Sequence, residues 1–565
     1  MRNKFIFAAI LSSAILSLAQ IGLTRESWPV AGGTNLERQE QFKQHEQEML
    51  TNIAPALAEW EKRGKPFIPW AEKPDDLPQA KVPAFPGAEG AGKFSFGGRG
   101  GKVFVVTNLA DSGLGTFREA CESAGPRIVV FNVAGIIHLE KPVNIEAPYL
   151  TIDGHTAPGD GVCIAGESTL VDTHDVVIRY MRFRRGNTDV FDRDDALGGN
   201  PVGNIIVDHC SCSWGLDENL SMYRHVYERG TNGFGLKLPT LNITLQWNIS
   251  SEALNTYNHA FGATWGGRNS SFHHNLFACN TGRNPSIGMT YDFNFVNNVL
   301  FNWRHRTVDG GDKGSLYNII NNYYKPGPAV NPGAIAHRIL LPSATQTKQD
   351  PTPHFGKAYV AGNFVEGDET VSQDNWNGGV QFADGGSKDD PTTATNDAAK
   401  NLIAQVRVNE PFPMAAITMT SAREAYADVL KDAGATLPHR DSVDDRIVKE
   451  VKTGKVWSEG KEFLPPQMKG LAKNNFGMAG NGIITDISQV GGYPDYKGGA
   501  LADVGTDGIP LSWKKKFNLD TNDVALAQKD LQGDGYMVVE KYLDGLDPTK
   551  KIDWSNPNSN VNTLR

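Results

Sequence analysis

The sequence predicts an all-β chain built as a right-handed parallel β-helix, a solenoid in which every coil adds short strands to the same few sheets. Three observations carry this. Asn248, Asn275, Asn298 and Asn322 recur at intervals of 27, 23 and 24 residues, a period in the twenties. Each closes a short strand-like run, as in Leu245-Gln-Trp-Asn248, Ser271-Phe-His-His-Asn275 and Phe293-Asn-Phe-Val-Asn-Asn298. The 60 glycines and 31 prolines among 565 residues suit a turn-rich β protein better than a helical one.

Asparagine explains the spacing. It tolerates left-handed turn geometry, and its amide can bond its own backbone and its copy in the next coil. Stacked copies form a ladder that satisfies polar groups otherwise buried without partners. Leucines at the fixed offsets of a leucine-rich repeat are missing, which leaves the β-helix. The excursions Asp189 to Gly203 and Val226 to Thr240 break the period and are expected as loops on one side.

Taken in order, residues 1–19 read as an export signal: Arg2 and Lys4, an apolar run from Phe5 to Leu18, and a small-residue cleavage site at Ser17-Leu18-Ala19. The run is too short for a transmembrane helix and no other stretch approaches one, so a secreted protein is expected. Residues 20–81 are expected as an N-terminal helical and proline-rich segment, with helix between Asn35 and Arg63. Residues 82–328 hold the repeats. The glycine-rich run Phe85-Pro-Gly-Ala-Glu-Gly-Ala-Gly92 lacks the Gly-Lys-Ser/Thr ending of a phosphate loop. Residues 329–505 read as a loop-rich extension packed on the β-helix, with a helix capped by Ser421 and Glu424. Residues 506–565 form a tail with an EF-hand-like acidic loop. In that loop Asp530, Asp534 and Gly535 take positions one, five and six, but Gln532 and Lys541 take positions three and twelve. A second calcium site at Asp530 and Asp534 is therefore weighed evenly against a solvated turn.

The net charge of −9 gives no general basic surface and argues against nucleic acid as partner. The five cysteines are an odd, scattered set and read as buried hydrophobes. Two acidic groups interrupt the repeats: Asp192-Arg-Asp-Asp-Ala196, with Asp194 and Asp195, and Asp217-Glu218. Residues one coil apart stack about one strand spacing apart, so Asp195 and Asp217 could converge on one cation. Carboxylate oxygens suit calcium, and the absence of clustered His and Cys argues against zinc. Arg283, on a Gly-Arg-Asn-Pro loop, lies in the same region. Calcium beside an arginine fits β-elimination in a uronate polymer, the metal acidifying the hydrogen at C5. Charge alone assigns Arg283 to stabilising the enolate or clamping a carboxylate, because a guanidinium is a poor base near neutrality. His209, His273 and His274 read as structural histidines on strands.

The run from Asn204-Ile-Ile-Val-Asp-His209 through Ser213-Trp-Gly-Leu-Asp-Glu218, then Ser271-Phe-His-His-Asn275, Gly282-Arg-Asn-Pro285 and Asn297-Asn298, resembles the pectate lyase family of parallel β-helix enzymes. The likeness covers roughly Val82 to Pro328. The Phe85-Pro-Gly-Ala-Glu-Gly start and the Arg440-to-Arg446 segment resemble its secreted bacterial branch. The resemblance implies that Arg283 is the base abstracting the C5 proton, that Asp195 and Asp217 hold calcium with Asp194 in support, and that His259 binds substrate. Ser221 stands where members carry a further aspartate. Gly288 stands where they carry a second arginine, a charge that Lys237, Arg268 or Arg304 could supply. The implied activity is that of a monomeric lyase on pectate, an acidic plant cell-wall polysaccharide. A lyase of methyl-esterified pectin, a polygalacturonase-like hydrolase with paired aspartates, and a non-catalytic carbohydrate-binding solenoid are the alternatives.

Overall fold

The computed structural model describes residues 58–62, 65–227, 236–256, 259–386, 391–393, 396–458 and 480–554. The expected export signal and most of the Asn35–Arg63 segment lie outside them. Strands wind as a parallel β-helix with three faces. The first face carries, among others, His174–Arg179, Gly203–Asp208, Leu241–Gln246, Thr264–His273, Asp292–Val296, Leu316–Ile320 and Lys357–Ala361, each paired in parallel with the next. The second face is a nine-stranded sheet from Gly135–His138 to Phe364–Val365. The third begins with Val143–Ile145, Thr169–Val171 and Leu197–Gly198. Single bridges through Leu220, Glu218, Phe261 and Gly282 lead on to Ser286–Thr290 and Val308–Gly310.

Two residues turn the chain from the first face to the second. The leading one takes the left-handed conformation, with φ between 50° and 56° at Tyr180, His209, Trp247, His274, Asn297 and Asn321. The residue after it carries the ladder. Asn275 Oδ1 accepts the backbone N–H of Asn248 at 2.9 Å and its amide at 3.0 Å. Asn298, Asn322 and Asn363 repeat the pattern. The ladder thus forms as expected, but left-handed geometry falls on the residue before the asparagine. The ladder and its sheets also run past residue 328, through Lys357–Ala361 and Phe364–Val365 to Asn363 and Asn375.

Alternation does the rest. Ile205 and Val207, Ile243 and Leu245, and Phe293 and Phe295 point inward and are buried. At about 1.5–3 kcal/mol per buried apolar side chain, stacked coils supply the core that no single coil can close. All five cysteines are buried and unpaired, as expected.

The glycine-rich run near residue 90 lies flat on the outside of the first face. Gly92 N–H donates to Thr244 Oγ1 at 2.8 Å, and a Cβ there would stand 2.0 Å from the Ile205 carbonyl oxygen, so only glycine fits. The Ser421 capping box forms at helix Ala422–Asp432. Helix Ser442–Thr453 follows, and its Ile447 and Val451 pack with Ile249, Leu276 and Val299 of the second face. Arg184, buried in that face, pairs with Asp441 and Asp444 at 2.7 and 3.0 Å.

The acidic loop near the C-terminus is closed from within. Lys541, at the twelfth position, puts its ammonium 2.7 Å from Asp534 Oδ2, and the Asp530 carboxylate accepts the backbone N–H groups of Gln532, Asp534 and Gly535. Lys541 on Asp534 and the backbone donors on Asp530 favour a closed turn over the second calcium site at Asp530 and Asp534.

Candidate active site

The loops that leave the second face for the third carry the predicted residues, and the stacking of coils decides which of them meet. Glu218 bridges to Phe261 and Phe261 to Gly282, so three successive coils place Glu218, Phe261 and Arg283 side by side. Arg283 has φ 51°, a left-handed conformation that a side chain adopts at a cost. Its guanidinium carbon stands 4.1 Å from the centre of the Phe261 ring, which also has the His259 ring at 4.7 Å and Arg306 at 5.7 Å. Arg283 pairs with Glu218 and stands 3.6 Å from Asp217 Oδ1. Glu218 also accepts the Thr264 hydroxyl at 2.7 Å.

Asp195 comes in from the preceding coil. Its Oδ1 accepts the Glu218 backbone N–H at 3.0 Å. Burial and the negative charges of Glu218 and Asp217 push the Asp195 carboxyl well above its usual range. Burial works the same way on Asp217, but a hydrogen bond from His259 and the charge of Arg283 outweigh it and hold Asp217 below. His259 Nδ1 lies 2.8 Å from Asp217 Oδ1. For Arg283, burial favours losing the proton, yet Glu218 and Asp217 prevail and raise its pKa above an already high value.

Asp195, Asp217, His259 and Arg283 therefore share one site. Asp194 is turned aside: Arg185 Nε donates to it at 2.9 Å and Ser168 Oγ at 2.7 Å, so it is spoken for by the scaffold. Ser221 Oγ accepts the Thr264 N–H and likewise serves the scaffold. Lys237 is exposed on an antiparallel hairpin, Arg224–Tyr227 with Leu236–Pro239. Arg268 stacks on Tyr291 at 4.8 Å, four residues along its strand from Thr264, which is about 13 Å at strand rise. Arg193 is a further basic group whose charge reaches Asp217, after Arg283 and His259. Tyr223 lies across Gly288 and Gly266, where an added Cβ would meet it at 2.4 and 3.1 Å respectively. An arginine at 288 would collide with that ring. Glu218, Phe261, Arg193 and Tyr223 escaped the list of candidates because their place depends on register between coils. The one readable signal was Glu218, adjacent to Asp217.

A hard cation suits the donors, which are all carboxylate oxygens, and Asp195 is raised first by burial and then by the negative charges of Glu218 and Asp217. Among the described residues, no three His, Cys, Asp or Glu side chains are gathered as a metal cluster; Arg283 and His259 engage Glu218 and Asp217. His209 sits apart from this site, bonded to Asp208 on the first face, and His273 and His274 are buried in the ladder region.

No family model matches the chain. Curated relatives do. A protein named "Probable pectate lyase C" from Aspergillus fumigatus is 33% identical over 477 residues, covering 82% of this chain and 94% of the relative. The protein of the same name from Aspergillus flavus is 31% identical over 474 residues, covering 82% and 94%. Among solved structures, the cedar pollen allergen jun a 1 is 17% identical, covers 61% of this chain and 92% of its own, and has a TM-score of 0.40. These curated relatives are fungal, which overturns the expectation of a bacterial branch. With identity above 30% across nearly the whole of a relative, the chain belongs to the pectate lyase family and is a polysaccharide lyase.

Proposed function

We propose that this is a secreted enzyme that cleaves α-1,4-linked galacturonan by β-elimination and leaves 4,5-unsaturated oligogalacturonates. The observation that carries the reading is the convergence of Arg283 with Asp217, Glu218 and Asp195 on one flank of the solenoid. The relatives' name supports the substrate class. Calcium is the proposed cofactor, with Asp195 and Asp217 as ligands and Glu218 beside them. When bound, it neutralises the sugar carboxylate and makes the hydrogen at C5 more acidic.

The chain's own groups divide the remaining work. Arg283 in its neutral form takes the C5 proton, the electron pair of the C5–H bond forms the C4=C5 double bond, and the C4–O4 bond breaks with O4 taking a proton from water. For that, its contact with Glu218 must open and Arg283 must first release a proton to solvent, since the carboxylates hold it protonated. That same raised pKa favours a second reading, in which Arg283 keeps its proton and stabilises the enolate charge. His259 steadies Asp217, and Arg193 adds positive charge near Asp217.

The test is to incubate the purified protein with polygalacturonate and follow ultraviolet absorbance of the unsaturated product, with and without chelator. Absorbance that chelator abolishes is expected. New reducing ends without absorbance would mean a hydrolase, and neither signal would mean a binding solenoid. Faster turnover of methyl-esterified polymer would move the assignment to a pectin lyase.

A further inference from the structure

The flank that holds Arg283 continues along the strands into a second group of arginines. Met222 bridges to Trp265, and Trp265 pairs with Ile287, so Tyr223, Gly266 and Gly288 lie side by side on three successive coils. Farther along the last two coils come Arg268 and Tyr291, whose N–H donates to the Gly267 carbonyl at 2.9 Å. The hairpin strand Leu236–Pro239 rests against both Thr264–His273 and Ser286–Thr290, and its partner Arg224–Tyr227 is thereby held on the same flank.

Each of these arginines stands on a tyrosine. The guanidinium carbon of Arg224 lies 4.9 Å from the centre of the Tyr223 ring, and that of Arg268 lies 4.8 Å from the centre of the Tyr291 ring. Among the described residues neither arginine has an ion-pair partner, and Arg224 Nε is buried with no acceptor. Asp292 feels the charge of Arg268, but its oxygens accept the N–H groups of Asn269 and Ser270 at 2.7 and 3.1 Å. Arg283 and Arg306, by contrast, are spent on Glu218 and Asp309. A guanidinium laid on a ring is held in one orientation and can still fork a carboxylate through the N–H groups at its edge. Arg268 lies about 13 Å along the strand from Thr264, beyond the sugar held at Arg283 and within a longer chain.

We propose that Arg224 and Arg268, each on its tyrosine, bind the carboxylates of uronate units beyond the cleaved bond, a distal site that makes the enzyme favour long acidic chains. The inference rests on the reading of the substrate as a polyuronate and adds to it a dependence on chain length. Two unpaired guanidiniums on one flank have a use there that a short or neutral saccharide would not supply.

The test is calorimetric titration with hexagalacturonate and with trigalacturonate, calcium present, in Arg283→Ala, a variant expected to cut neither ligand. To it are added Arg224→Gln, Arg268→Gln, both together, or Tyr291→Leu. The hexamer is expected to bind Arg283→Ala at least about 25-fold more tightly than the trimer. Each glutamine should cost the hexamer about 5-fold and the pair about 25-fold, so that the double variant no longer tells the two lengths apart. Added salt should shrink the preference in Arg283→Ala and leave the double-glutamine variant unmoved. Melting curves check the folds, and Tyr291→Leu, which removes an exposed ring, should weaken the hexamer as Arg268→Gln does. Equal affinity for the two lengths in Arg283→Ala, a preference kept in the folded double variant, or equal losses with trimer and hexamer would overturn the proposal. A length preference that depends on both arginines, in a protein whose wild type releases no unsaturated product, would support it and count against the lyase reading alone.

Discussion

Replacing Arg283 with alanine should move two quantities in opposite directions. The guanidinium stands 3.6 Å from Asp217 Oδ1 and touches Glu218, with both groups of the first pair about four-fifths buried. Two unit charges at that separation attract by about 1 kcal/mol in a water-like dielectric and about 4–5 kcal/mol at an effective dielectric of about 20. The lower figure is the safer one for a partly exposed pair, and it corresponds to roughly 5-fold in an equilibrium constant. Without Arg283, Asp217 and Glu218 lose that competitor, so calcium should bind at least about 5-fold more tightly. Turnover should fall by about 10²–10⁴-fold, the range for losing a group that moves a proton or stabilises charge in the transition state. Calorimetry with calcium and the absorbance assay on polygalacturonate read the two effects, and circular dichroism checks the fold. Retained turnover, or weaker calcium binding in a folded variant, would refute the reasoning.

Two further predictions concern the scaffold. Lys541→Glu should turn the closed C-terminal loop into a calcium-dependent one: chelator should lower the melting temperature of the variant by more than that of the wild type, because the buried ammonium is replaced by the carboxylate an EF-hand loop uses. A variant indifferent to calcium would show that the loop geometry cannot open. Asp208 is the second. Burial opposes its charge, but His209, Arg179 and Gln246 prevail and hold its pKa at about 2, below its usual 3.8. A depressed carboxylate stabilises the fold above the unfolded pKa and loses that contribution as pH falls through the folded one, a term of about 2 kcal/mol. Denaturant melts of Asp208→Asn and wild type should therefore differ above about pH 4 and converge toward pH 2. A constant gap across that window would mean that the ion pairing is not its source.

The asparagine ladder was legible in the linear order because one side chain repeats at nearly constant spacing and its amide has a single economical use between coils. Buried alternation in Phe293 to Asn298 and Tyr317 to Asn322 was legible for the same reason: local periodicity is a property of the chain itself. The choice among acidic residues was not. Asp194 and Asp195 are neighbours in sequence, yet Arg185 takes one and the site takes the other. Lys237 and Arg268 looked available in the sequence, where Arg193 did not stand out, and the hairpin and the strand direction became visible only in the fold. Lys541 closing its own loop, and Tyr223 lying over Gly288, depend on contacts made at close range.

The sequence by itself thus determined the solenoid, its period and the flank that holds Asp195, Asp217 and Arg283, since each follows from repeat spacing and side-chain chemistry. Only the tertiary structure decided the partners of those groups. Electrostatic pairing falls off over a few ångströms, and the register between coils, set by loops of unequal length, places each charge within or beyond that reach.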